Sequence, residues 1–207
     1  MAFAATFLVI LIGIPIAYAL AMKQFRGKEV IDALLALPLV MPPTVTGYYL
    51  IVILGRNGLI GKYVYALTGW TMMFTWYAAA LASFIVSVPL MIRTARAAME
   101  SVDKNLINAS YSLGHGEIET ALNVVLPLSK KGIIAGTVLS FARAIGEFGA
   151  TLMFAGDIPG RTETMPLAIY NYLSGGEWGK AQNMVIVLTF LSITVIYIAN
   201  RMGRRAV

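Results

Sequence analysis

The stretch from Ala2 to Met22, AFAATFLVILIGIPIAYALAM, carries no charged side chain, and its reading decides the class of the molecule. A hydrocarbon layer about 30 Å thick is crossed by about 20 helical residues, and backbone amides inside it must bond to one another. A run of this length and character therefore reads as a transmembrane helix. It has no basic leader ahead of it and no separated small-residue cleavage site, so it reads as a retained span and not as a signal peptide. Working outward, comparable apolar stretches extend from Val30 to Leu54, Thr71 to Ile92, Gly132 to Ala155 and, at the short end of the range, Met184 to Asn200. The expectation is an all-α, polytopic membrane protein of about five spans. It forms one membrane domain over residues 1–207 with a structured loop at 93–131.

Composition agrees with this reading. Of 207 residues, 58% are hydrophobic and 13% charged, too little polar material to cover a soluble globule. The net charge of +6 sits at the ends of apolar runs instead of in a stripe interleaved with aromatics, so lipid is the expected partner and nucleic acid is not. The absence of cysteine excludes disulfides and thiolate metal sites, and the single histidine, His115, cannot build a zinc centre alone.

Orientation follows from lysine and arginine beside the spans. Lys23, Arg26 and Lys28 follow the first; Arg93, Arg96, Lys104, Lys130 and Lys131 lie between the third and fourth; Arg201, Arg204 and Arg205 close the chain. Five spans put all three groups on one side, the cytoplasmic one, with the N-terminus outside. The other side carries Arg56 and Lys62 in one loop, and in the next Arg161 and Lys180 diluted by Asp157, Glu163 and Glu177.

The cytoplasmic segment reads as helix, turn, helix. Ser101 and Asp103 are candidate N-caps, Gly114 and Gly116 interrupt, and Pro127 is expected to end the second piece. The outer segment from Gly156 to Asn183 is broken by Pro159, Gly160, Gly175 and Gly176, with Tyr170, Tyr172 and Trp178 placed as interfacial aromatics. No energy-converting machinery is visible. Gly55–Lys62 (GRNGLIGK) has its outer glycines one residue too far apart for a phosphate-binding loop, and Tyr63 stands where a magnesium-binding Ser or Thr is needed. Catalytic motifs are lacking, so an enzyme is not expected.

The loop contains Asn108-Ala109-Ser110-Tyr111-Ser112-Leu113-Gly114 and, further on, Val124-Val125-Leu126-Pro127. This resembles the EAA loop of ABC importer permeases in spacing throughout, with Asn108 in place of the glutamate. Two further blocks, Leu37 to Tyr48 and Phe141 to Ala150, look like the molybdate permease family and more loosely the sulfate permeases. The segment from Ala155 to Tyr170 is similar to the molybdate branch. The resemblance implies the type I ABC importer permease architecture: a homodimer, in a bacterial or archaeal plasma membrane, with one ATP-binding cassette subunit under each copy. ATP and magnesium are then held by those subunits and no cofactor by this chain. A binding protein outside the membrane would deliver a tetrahedral oxyanion, molybdate or tungstate, with sulfate or thiosulfate as the alternative cargo. An ATP-independent secondary transporter or channel is the rival class.

The resemblance also implies that a coupling helix, about Lys104 to Leu113, seats in the ATPase. Its candidate contacts are Lys104, Asn105, Asn108, Ala109, Ser110, Leu113, Gly114, Leu126 and Pro127. Small residues at Ala109 and Ser110 are expected to allow close approach, and Gly114 a left-handed turn. Pro38, Pro42 and Pro43 remove backbone donors inside a span, which must bend or unwind there. Pro42, Pro43, Thr44 and Thr46 therefore either line a gate or shape a packed helix. Arg143 and Glu147, four residues apart deep in a span, either pair structurally or lend the path positive potential for an anion. The outer charges Asp157, Arg161, Glu163 and Glu177 are either a solvated face or a docking surface, and His115 reads as an ordinary exposed loop residue.

Overall fold

A computed structural model describes the backbone of residues 1–205 and the side chains of residues 1–198. Among the described residues there are helices and no strands. Helix α1 is Ala2–Met22, α2 Lys28–Val40, α3 Pro43–Leu54, α4 Gly61–Thr68, α5 Trp76–Glu100 and α6 Lys104–Ser112. Next come α7 Glu117–Thr120, a π-helical turn Ala121–Val125, α8 Leu126–Leu128, α9 Lys130–Ile145, α10 Gly149–Ala155, α11 Met165–Ser174 and α12 Trp178–Arg205.

Helix α5 is the axis of the molecule. It has 25 residues, about 37 Å at helical rise, and 72% of its membrane-length window is buried against other helices. Helix α9 packs antiparallel on it through Gly132, Gly136 and Ser140, one residue per turn. A Cβ on Gly132 would overlap Ala98, one on Gly136 would lie 3.0 Å from Met91 Sδ, and Ser140 Oγ donates to Ser87 O at 3.0 Å. Lipid tails are as apolar as leucine, so close backbone approach across small residues, with a hydrogen bond added, is what holds such a pair together. On its other side α1 packs on α5 through Gly13, where a Cβ would meet Met91 at 2.9 Å. Helix α12 is peripheral, with 6% of its window buried.

Among the described residues three helices are long and apolar enough to cross a membrane singly, Ala2–Met22, Trp76–Glu100 and Trp178–Ile198; the bent pairs Lys28–Val40 with Pro43–Leu54 and Glu117–Leu128 with Lys130–Ile145 bring the number up to five if each is one span. The sequence-based spans need correction where the chain breaks. The third begins at Trp76 and not at Thr71, because Thr75 caps it by accepting from Ala78 N–H at 3.2 Å. The fifth begins at Trp178 instead of Met184, and the side chains of Arg201, Arg204 and Arg205 lie outside the described residues.

The second span is two helices meeting at 119° around Met41 and Pro42. Its ends lie apart along the bundle: Asp32 pairs with Arg96 of α5 at 3.1 Å, and a Cβ at Gly55 would lie 3.2 Å from Sδ of Met73, in the segment ahead of α5. The elbowed segment therefore traverses the bundle. The fourth span is interrupted at Gly146–Phe148, leaving α9 and the short α10 in place of one helix from Gly132 to Ala155.

Candidate functional site

The loop at 93–131 is built from caps. Asp103 accepts from Asn105 N–H at 2.8 Å to start α6. Ser101, the other candidate cap, closes α5 instead, its hydroxyl donating to Ala98 O at 2.7 Å. At the far end Gly114 takes φ +88°, Gly114 N–H donates to Tyr111 O at 3.0 Å and His115 N–H to Ser110 O at 3.3 Å. This is the doubled C-terminal closure that a left-handed glycine permits. Glu119 then accepts from Gly116 N–H at 2.9 Å and opens α7.

The second helical piece ends at Leu128, one residue after Pro127, and the rod Glu117–Leu128 gives way to a 74° bend into α9 at Ser129.

Lys104, Asn105, Asn108, Ala109, Leu113, Gly114 and Pro127 are exposed and Leu126 is half-buried. Ser110 is buried, so it does not face a partner; its Oγ lies 2.9 Å from Thr120 Oγ1 and 3.1 Å from His115 Nδ1. His115 is thus exposed but not idle. Sequence reasoning also missed Leu106, Ile118 and Leu122. With Leu113, 79% exposed, they leave four large apolar side chains of this loop uncovered. The signal was available in the i, i+4 spacing of Ile118 and Leu122 on a helix too short to bury both.

The second constellation lies where the two broken spans meet. Gly149 at the start of α10 is packed on the elbow: a Cβ there would lie 3.1 Å from Pro43 Cβ and 3.2 Å from Thr44 Cγ2. One turn on, Gly47 faces α10 so closely that a Cβ would lie 3.0 Å from Ala150 Cα and 2.6 Å from Met153 Cβ. Thr46 is buried with its hydroxyl unpaired, whereas Pro42 and Thr44 are exposed. Arg143 Nη1 lies 2.7 Å from Glu147 Oε2, without an aligned N–H···O bond, and Glu147 Oε1 accepts from Ala150 N–H at 2.8 Å.

Glu147 is therefore not on the helix face with Arg143, as the spacing predicts. It stands in the break, 2% exposed, bridging the guanidinium at the end of α9 to the first amides of α10. A carboxylate so placed compensates a cation and satisfies an amide that no water reaches. The structure thus brings the proline block and the Arg143–Glu147 pair together through Gly149 and Ala150. A pocket of about 310 Å³ opens beside Glu147, lined also by Ser83, Ala144, Glu163 and Thr164.

In the segment from Gly156 to Asn183, Asp157 is half-buried and accepts from Asn171 Nδ2 at 2.5 Å, Glu177 pairs with Lys180, and Arg161 and Glu163 stay exposed. Tyr170 reaches back to Phe148, ring centroids 5.4 Å apart.

Residues 10–206 match the family described as the binding-protein-dependent transport system inner membrane component. The chain belongs to this family. The molybdenum transport system permease protein ModB of Escherichia coli strain K12 is 45% identical over 186 residues, 89% of this chain and 81% of that one. ModB of Haemophilus influenzae is 40% identical over 195 residues, 94% and 85% of the two chains. In fold, the permease is similar to a chain of the inward-facing MetNI methionine ABC transporter, TM-score 0.76 at 16% identity, covering 100% of this chain and 91% of that one. It is also similar to a chain of a bacterial alginate ABC transporter solved with its alginate-bound periplasmic protein, TM-score 0.74 at 15% identity, covering 99% and 76%. The protein is a multi-pass transport permease subunit, all-helical, with the fold of the ABC importer permeases.

Proposed function

We propose that this permease is the membrane subunit of an ATP-driven importer that carries a tetrahedral oxyanion, molybdate or tungstate, into the cytoplasm. The observation that carries the reading is the 45% identity to a molybdenum transport permease over 89% of the chain, joined to a water-side knob with uncovered leucines. Two copies form the path, because five spans of one chain are too few to enclose it. An ATP-binding cassette subunit grips each knob at Lys104, Asn105, Asn108, Ala109, Leu113 and Gly114. ATP and magnesium reside there, and this chain holds no cofactor. Lys23, Arg96 and Lys104 lie at the α6 end of the bundle, Lys23 3.1 Å from Glu117; that end is cytoplasmic and the N-terminus outside.

The work of the chain is mechanical and electrostatic. ATP-driven closure of the cassettes displaces the knobs, the rod turns α9, and the glycine contacts with the elbow at Pro43 and Thr44 shift, opening the path first outward and then inward. A binding protein loads the outer side near Arg161, Glu163 and Glu177. Arg143, 29% exposed beside a carboxylate that neutralises part of its charge, leaves a moderate positive potential along the way: enough to admit a dianion without trapping it.

Uptake of radiolabelled molybdate, tungstate and sulfate into proteoliposomes holding this chain, its cassette subunit and its binding protein tests the assignment. Molybdate or tungstate entry that requires ATP and outcompetes sulfate is expected. Preferential sulfate entry would move the chain to the sulfate branch.

A further inference from the structure

The knob's displacement has to reach the membrane, and the covalent connection is a weak lever, since Gly114, His115 and Gly116 form a turn with a left-handed residue in it. The fold supplies a second connection across that turn. Ser110 in α6 and Thr120 at the end of α7 are 5% and 0% exposed, their hydroxyl oxygens are 2.9 Å apart, and His115 Nδ1 sits 3.1 Å from Ser110 Oγ. A buried hydroxyl pair has no water to exchange with, so parting the two oxygens takes from Thr120 Oγ1 its side-chain partner and leaves Ser110 Oγ only His115 Nδ1. The two helices are therefore held as one body.

Beyond Thr120 the chain has the form of a hinge. The π-helical turn Ala121–Val125 shifts the backbone register, a feature that recurs at functional sites. Ser129, 2% exposed, donates to Val125 O at 2.6 Å at the outset of the 74° bend into α9. Helix α9 ends at Ile145 with Arg143 in its last turn, and Glu147 just beyond accepts from Ala150 N–H in α10, which packs on the elbow through Gly149.

We propose that the Ser110–Thr120 hydroxyl pair, steadied by His115, is the joint through which motion of the coupling helix is delivered to α9, with the π turn as the flexing element behind it. Ser110 and Thr120 are positioning residues: they touch neither cargo nor nucleotide. The joint rests on the coupling reading of the knob, and the test separates the two.

The complete transporter is reconstituted with wild type, Thr120→Val and Thr120→Ser permease, and three quantities are read: recovery of the cassette subunit with the permease, ATPase rate, and cargo imported per ATP hydrolysed. Thr120→Val keeps shape and removes the hydroxyl. It is expected to retain the cassette and most of the ATPase rate while import per ATP falls about tenfold, the scale of one lost buried hydrogen bond. Thr120→Ser, which keeps the oxygen, is expected to restore import. Unchanged import per ATP in Thr120→Val overturns the joint. Failure of the wild type to retain the cassette overturns the coupling reading instead. Should Thr120→Val fail to insert, the pair Ser110→Cys with Thr120→Cys decides, because the chain has no other cysteine. Oxidation to a disulfide is expected to preserve import per ATP, and loss of import on oxidation would overturn a joint that works by staying closed.

Discussion

Two helix breaks in this permease are made in opposite ways. The break at Gly114 lies in water and is built from local chemistry: an aspartate cap, a left-handed glycine and a glutamate reaching back to an amide. Each device is replaceable, because solvent will bond whatever is left free. The break at Gly146–Phe148 lies in the membrane, where its free amide is met by a single buried carboxylate that also compensates Arg143. Its neighbours approach at distances only glycine allows. The same operation, stopping one helix and starting another, is thus robust on one side and brittle on the other.

That contrast orders the consequences of mutation. The largest effect is expected from Glu147→Ala, which uncaps α10 and leaves Arg143 without its partner. Thermal unfolding in detergent should show a loss of about 3 kcal/mol, the low end for a broken buried pair because Arg143 is 29% exposed. Wild-type stability would mean that water already serves this break. Next comes Gly47→Leu, whose side chain has to displace Met153 and the α10 backbone. About 2 kcal/mol is expected from overpacking, with reduced yield of inserted protein. On the water side, Gly114→Ala strains one left-handed residue, with open space around its Cβ, and should cost about 1 kcal/mol while the cassette subunit still co-purifies. Smallest is Lys23→Met, which removes an ion pair whose partners are 55% and 51% exposed; about 0.5 kcal/mol or less is expected. If Gly114→Ala proved costlier than Glu147→Ala, the contrast would be reversed.

The same physics explains what was legible in the sequence. Span number and the loop helix after Asp103 were readable because each rests on a local pattern: an uninterrupted apolar run, and Asp103 and Gly114 at the ends of a helix. The elbow was foreseen as a bend at Pro42 and Pro43, but its 119° and its contact with Gly149 depend on residues about a hundred positions away. The roles of Ser110 and Glu147 were misplaced for a related reason. A serine among small residues reads as a surface for a partner, and a glutamate four residues after an arginine reads as a helical neighbour. Only the fold shows that Thr120 has turned back over the one and that α9 has already ended before the other. The small-residue row of α9, Gly132, Gly136 and Ser140, was present in the sequence at helical spacing and marks the seam with α5.

In the proposed function this chain has no drive of its own and is moved through its knob. The direct measurement is oxyanion uptake by proteoliposomes containing the permease with and without its cassette subunit, under imposed proton and sodium gradients and with ATP supplied or withheld. Uptake confined to the vesicles that hold both the cassette subunit and ATP is the predicted result. Accumulation driven by either gradient in vesicles lacking the cassette subunit would contradict it.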